Sequence, residues 1–163
     1  MENTMQKGLI VYYSFEGTTE IVANVLSEEF KLDCIRLRPV KELKSKGFSK
    51  FVWGGAQVVM GTIPELEPIN VNLDEYDFIW LGTPIWAGTY APPVRAFLDH
   101  PQLNNKKIAY FYTHDGGASR AEERAKEIIN LRNTYVSGLG LVSVKDNLES
   151  TKNLAINWAR TLI

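Results

Sequence analysis

A chain of 163 residues corresponds to one domain at the usual size of ~150 residues, and its 45% hydrophobic content excludes disorder and collagen-like order. With 18 Lys plus Arg against 19 Asp plus Glu, the net charge of -1 excludes a global field that would draw nucleic acid or anionic lipid, so a ligand has to be recognised locally. The lone cysteine, Cys34, excludes an internal disulfide, and two histidines, His100 and His114, are too few for a His/Cys zinc cluster.

Residues 1–7 lack the charged-then-apolar layout of a secretory signal, and no apolar run approaches the ~18 residues of a membrane span. A cytoplasmic protein is expected, without membrane or nucleic-acid partners. Leu9-Ile10-Val11-Tyr12-Tyr13 is apolar without alternation, as in a parallel strand covered on both faces. Val22, Val25, Leu26 and Phe30 then fall at helical spacing, and Cys34-Ile35-Arg36-Leu37 alternates like a more exposed strand. Residues 41–72, with Gly54, Gly55, Gly61, Pro64 and Pro68, suggest a short helix followed by an irregular, proline-punctuated connection.

Phe78-Ile79-Trp80-Leu81 repeats the buried-strand pattern, and Val94, Phe97 and Leu98 follow as a helix that Pro92 and Pro93 would open. Ile108-Ala109-Tyr110-Phe111-Tyr112 is the next strand, with Ala121, Ala125, Ile128 and Ile129 on the helix behind it. Residues 135–142 form a glycine-interrupted fifth strand of weaker register, before a last helix carrying Leu154, Ala155, Trp158, Ala159 and Leu162. Alternating strand and helix with right-handed crossovers point to an α/β fold, an open doubly wound parallel sheet, in a single domain spanning 1–163.

Ligands of such sheets bind beyond the carboxyl ends of the strands. Three loops lie there. Ser14, Phe15, Glu16, Gly17, Thr18 and Thr19 run directly into a helix, whose free N–H groups attract phosphate while the hydroxyls add donors. An ordinary helix cap has the same composition. In the second loop Thr83, Pro84, Ile85, Trp86, Ala87 and Gly88 place an aromatic between turn residues, suited to stacking a flat ligand. Alternatively, Trp86 or Tyr90 simply covers the core. Thr113, His114, Asp115, Gly116 and Gly117 expose backbone N–H groups and a histidine to a ligand edge, or form a turn with Ser119 as a helix cap.

Other chemistries lack their residues. The Walker and G-x-G-x-x-G patterns, a G-x-S-x-G elbow, H-E-x-x-H and an EF-hand loop are all missing. Val40 stands where a phosphatase Cys-loop built on Cys34 needs arginine, and the first strand ends in Tyr12-Tyr13-Ser14 instead of the acidic residues of a receiver domain.

The three loops together, with Pro92-Pro93-Val94-Arg95-Ala96-Phe97-Leu98 as the next helix, resemble the flavodoxin family over nearly the whole chain. The resemblance implies a five-stranded sheet of order 2-1-3-4-5 and FMN as cofactor. The first loop would hold its phosphate, and residues 84–88 and 114–117 would flank the isoalloxazine ring, with Trp86 the aromatic partner. A phosphate cradle, a flat platform and a backbone-lined edge suit that ligand. No metal and no catalytic side chain is assigned.

Two features depart from the family. Glu16 occupies a place where a small hydroxyl residue is usual, and a carboxylate repels a phosphate by about 1 kcal/mol per unit charge pair in water; we expect it to point outward and to serve through its backbone N–H. The near-neutral charge also differs from the acidic surface of flavodoxin electron carriers. The leading expectation is an FMN-binding redox protein, monomeric or homodimeric, exchanging electrons with a partner protein or a reduced nicotinamide. An NAD(P)H-dependent FMN reductase of a small substrate such as a quinone is the alternative. A flavin-less partner-binding module on the same fold is the reading from another class.

Overall fold

The structure is a computed structural model that describes residues 6–41, 63–118 and 120–163. Five parallel strands form its sheet: β1 (Gly8–Tyr12), β2 (Asp33–Arg36), β3 (Phe78–Trp86), β5 (Lys107–His114) and β6 (Thr134–Val142). Their order is β2-β1-β3-β5-β6, and a short β4 (Thr89–Tyr90) pairs antiparallel with the end of β3. Counting the parallel strands alone, this is the order 2-1-3-4-5 expected from the sequence.

The non-alternating runs are strands because both of their faces are covered. Leu9 and Val11 of β1 join Ile79, Leu81, Ile108 and Tyr110 in one core layer, whereas Ile10 and Tyr12 join Trp80, Ala109 and Phe111 in the other. Successive side chains of a strand point to opposite faces, so an apolar run supplies two cores at once. Helices α2 (Pro92–Leu98) and α3 (Ala121–Ile129) close the first layer through Val94, Phe97, Ala125 and Ile129. Helices α1 (Thr18–Phe30) and α4 (Leu148–Arg160) close the second through Val22, Leu26, Ala155 and Ala159. Each fully buried Leu, Ile, Val or Phe contributes about 1.5–3 kcal/mol. None of the helices among the described residues is long and apolar enough to cross a membrane.

Two sequence expectations are changed, and two others fall wholly or mostly outside the described residues. The strand expected over 78–81 runs on to Trp86, because Thr83 and Pro84 still pair in parallel with Tyr112 and Thr113 of β5. The loop expected over 82–93 is therefore the end of β3, a two-residue turn and β4. Ala87 at φ 48° and Gly88 at φ 75° make that turn, with the positive dihedrals that match the twist of a tight hairpin. Arg120 stands at the N-cap of α3 with no side-chain cap bond, and Ser119 lies outside the described residues. Most of the connection expected over 41–72, residues 42–62, also lies outside them. Its described end returns to the sheet through a bridge between Pro39 and Leu66.

The glycines of β6 make room for a polar cluster. A Cβ at Gly138 would collide with the Tyr135 hydroxyl and Glu122, and one at Gly140 with the Tyr112 ring. The Glu122 carboxylate accepts both hydroxyls, at 3.0 Å from Tyr112 and 2.6 Å from Tyr135.

Candidate functional site

The carboxyl ends of β1, β3, β5 and β6 open on one cleft. Of the residues expected from sequence, Phe15, Glu16, Thr18, Pro84, Ile85, Trp86, Thr113, His114, Asp115 and Gly116 line it, joined by Val144. Ser14, Gly17, Thr19, Thr83, Ala87, Gly88 and Gly117 do not line it, and several of them support it from behind.

Ser14 is buried, and its Oγ accepts the N–H of Gly17 at 3.1 Å, which closes the first loop on itself. Gly17 takes φ 96° at the N-cap of α1, a left-handed conformation that glycine adopts without strain. No side chain caps this helix. The N-cap is thus Gly17 and not the serine or a threonine, and among the described residues the first-turn N–H groups are left as donors of the kind an anion seeks. Thr19 is fully buried, and its Oγ1 lies 2.8 Å from that of Thr113, which is also 3.2 Å from the Thr18 hydroxyl. One hydroxyl of β5 thus fixes the first turn of α1 against the third loop. Arg36, at the carboxyl end of β2, donates to the Ser14 carbonyl at 2.7 Å and to Glu20 at 3.3 Å.

The second wall is aromatic. Trp86 meets Tyr13 edge-on, centroids 5.6 Å apart, and Phe15 edge-on at 6.0 Å, so the hairpin and the first loop touch across the cleft mouth. Such pairs are worth about 0.5–1.5 kcal/mol beyond the area they bury. Trp86 and Tyr90 are both half-buried and both pack against the first core layer, and of the two Trp86 lines the cleft. Thr83 is fully buried: its hydroxyl accepts the Ala91 N–H at 3.0 Å and donates to the Pro84 carbonyl at 2.8 Å, tying the hairpin to the start of α2.

At the third edge the His114 ring stacks on Tyr112, centroids 5.9 Å apart, and its Nδ1 accepts the Gly116 N–H at 3.1 Å. In the neutral ring the proton is then on Nε2, leaving a donor there. Beneath it the Tyr112 hydroxyl is pushed up to about 12 by burial and by its bond to Glu122. Gly116 and Gly117 have φ 134° and 76°, with open space where a Cβ would stand.

Sequence reasoning missed the contribution of the fourth loop. After β6, a short turn at Val144–Asp146 buries Val144 beneath the cleft and directs Lys145 to the first loop, its Nζ donating to the Glu16 carbonyl at 3.0 Å. Glu16 itself is exposed at the rim. Both this turn and Arg36 follow from one signal: all strands of a parallel sheet end on the same edge, including the fifth, whose weak register hid its terminus.

The flavodoxin family model matches residues 7–161. Among solved structures, a flavoprotein from Bacteroides eggerthii superposes with a TM-score of 0.79 at 19% identity, covering 96% of this chain and 98% of that one. A flavoprotein from Lactobacillus acidophilus, crystallised in complex with FMN, gives 0.72 at 23% identity, covering 87% and 97%. The two-electron reduced flavodoxin of Megasphaera elsdenii gives 0.58 at 20% identity, covering 91% and 95%. No curated protein matches the chain. With the family model matched over nearly its full length and the strand order its members share, the chain belongs to the flavodoxin family.

Proposed function

We propose that the chain binds FMN in this cleft and carries electrons through it. The observation that carries the reading is the uncapped N-terminus of α1, with Gly17 left-handed at its start, beside a cleft walled by Trp86 and edged by a glycine-rich loop. Free helix N–H groups suit a phosphate, an aromatic wall suits a planar ring system, and the backbone of 114–117 suits the polar edge of that ring. The Lactobacillus acidophilus relative, a complex with FMN, supports the same ligand.

When bound, the flavin supplies the one- and two-electron chemistry. The residues of the chain bind and orient it. The donors of the first loop hold the phosphate, and Thr113 keeps that loop in register with the third. Trp86 and Phe15 exclude water from one side. His114, with Nδ1 occupied by Gly116, offers its Nε2–H as a hydrogen-bond donor. Electrons come from a redox partner protein or a reduced nicotinamide and pass on to an acceptor. The net charge of -1 favours a second reading, direct reduction of a small substrate such as a quinone at the expense of NAD(P)H, because the chain has little net charge with which to steer a basic partner.

The test is a titration of FMN fluorescence with flavin-stripped protein, with FAD and riboflavin alongside. Stoichiometric quenching by FMN is expected, and a folded protein that leaves FMN fluorescence unchanged refutes the proposal in favour of a flavin-less module. Reduction of the bound flavin by NAD(P)H alone separates the enzyme from the carrier.

A further inference from the structure

We infer that Lys145 supplies the positive charge for a phosphate monoester on the first loop, and thereby makes the site select a phosphorylated flavin over the unphosphorylated one. This rests on the FMN site proposed above and adds to it a residue from a distant part of the chain. The need for such a charge is plain in the loop. Ser14, Phe15, Glu16, Gly17, Thr18 and Thr19 contain no cation and one carboxylate. A phosphate monoester carries about -1.5 to -2 at neutral pH, while a helix N-terminus offers only about half a positive charge.

Among the described residues two cations touch this loop. Arg36 approaches from behind, and its charge is paired with Glu20 at 3.3 Å while its other arm holds the Ser14 carbonyl. Lys145 follows Val144, which lines the cleft, and sets its Nζ 3.0 Å from the Glu16 carbonyl. Its backbone is fixed although its side chain is exposed. Val144 is buried, the Ser143 N–H donates to the His114 carbonyl at 2.9 Å, and Ser143 takes φ 48° to make the turn. A fixed base with a flexible four-carbon stem lets the ammonium move from a carbonyl to an oxyanion a short distance away. An ammonium has three donors, and the contact with Glu16 uses one of them. Among the described residues that line the cleft, the carboxylates Glu16 and Asp115 are acidic, so a cation beside the first loop favours a dianion there.

The experiment compares dissociation constants of FMN and riboflavin for the full chain, Lys145→Gln and Lys145→Arg, at low and high salt. Lys145→Gln is expected to weaken FMN roughly tenfold and leave riboflavin within about twofold, with Lys145→Arg restoring FMN and the salt dependence of FMN binding reduced in the glutamine variant. An FMN constant unchanged in Lys145→Gln overturns the inference while leaving the FMN site standing. Equal losses for both flavins also overturn it, because Lys145 would then only hold the Glu16 carbonyl. A wild-type chain that binds neither flavin removes the inference together with the function it rests on.

Discussion

Replacing Thr113 by valine removes one hydroxyl at constant shape, and the structure indicates how much that hydroxyl contributes. It lies 2.8 Å from the Thr19 hydroxyl and 3.2 Å from that of Thr18. Thr19 is fully buried and Thr113 nearly so, so water cannot replace the lost partner. A buried hydroxyl left unsatisfied costs about 1–3 kcal/mol, and the weaker contact to half-buried Thr18 adds about 0.5 kcal/mol, giving roughly 2–3 kcal/mol for Thr113→Val. Thr113→Ser keeps the hydroxyl and loses one methyl, about 0.8 kcal/mol. The assay is urea unfolding of flavin-free protein followed by circular dichroism. At about 1–3 kcal/mol per molar urea, the valine midpoint should fall by roughly 1–2 M and the serine midpoint by less than half as much. The double variant Thr19→Val/Thr113→Val should recover part of the loss, because two apolar partners leave nothing unsatisfied. If Thr113→Val matches the wild type or is more stable than Thr113→Ser, the hydroxyl junction does not hold the two loops together and the reasoning fails.

Gly82→Ala places a Cβ into the Phe111 ring in the middle of the sheet, so a destabilisation of about 1–3 kcal/mol is expected from denaturant unfolding, and none if the ring can turn aside. The Cys34 thiol is pushed from 9.0 up to about 11 by burial and by Glu20, which lowers its thiolate fraction about a hundredfold at pH 8; modification by a disulfide reagent should be slower than in urea-unfolded chain by at least that factor. Tyr12 and Tyr112 are raised to about 12, by burial first and then by Glu20 and Glu122 respectively. Their folded values exceed the unfolded value of about 10, so the stability they add is complete below pH 10 and is lost as pH climbs from 10 to 12; a flat unfolding free energy across that window would contradict the shifts. The Tyr110 hydroxyl is buried with no hydrogen-bond partner among the described residues, so Tyr110→Phe should stabilise by about 1 kcal/mol, and a loss of stability would reveal a bound water.

The strands that carry the site were legible because they lie in the middle of the sheet. Leu9, Ile10 and Val11 are all fully buried, and a run without alternation has one meaning when both faces are covered. The extent of β3 was hidden because Gly82 and Pro84 read as breakers. A parallel strand tolerates both here, glycine under the Phe111 ring and proline where it pairs with Thr113 near the strand's end. Thr18 and Thr19 illustrate a second limit. They are chemically the same and adjacent, yet about 100° of helical phase sends Thr18 to the cleft and Thr19 to the core. The Thr83 hydroxyl is bonded to Ala91 and Pro84, and Thr83 stands behind the cleft lining. Lys145 was out of reach because 129 residues separate it from Glu16; only the sheet's common carboxyl edge brings them together.

The two ends of the cleft are built to different stiffness, and this divides the work between them. At the first-loop end the loop residues are held by contacts the chain itself provides: Ser14 by Gly17 and Arg36, Thr18 and Thr19 by Thr113, Phe15 by Trp86. A site already ordered before its ligand arrives loses little conformational freedom on binding, so these residues govern affinity. At the other end Gly116 and Gly117 stand in open space at positive φ, tied mainly through the Gly116 N–H to His114 Nδ1. That bond uses Nδ1 as the acceptor and so keeps the proton of the neutral ring on Nε2. With no Cβ at Gly116 and Gly117 the backbone there has room to rearrange around a ligand edge, while the first loop is held in place. For the proposed flavin, substitutions at 14–19 and 145 should alter how tightly it is held, and substitutions at 114–117 should alter the relative stability of its redox states with little change in the affinity of the oxidised form.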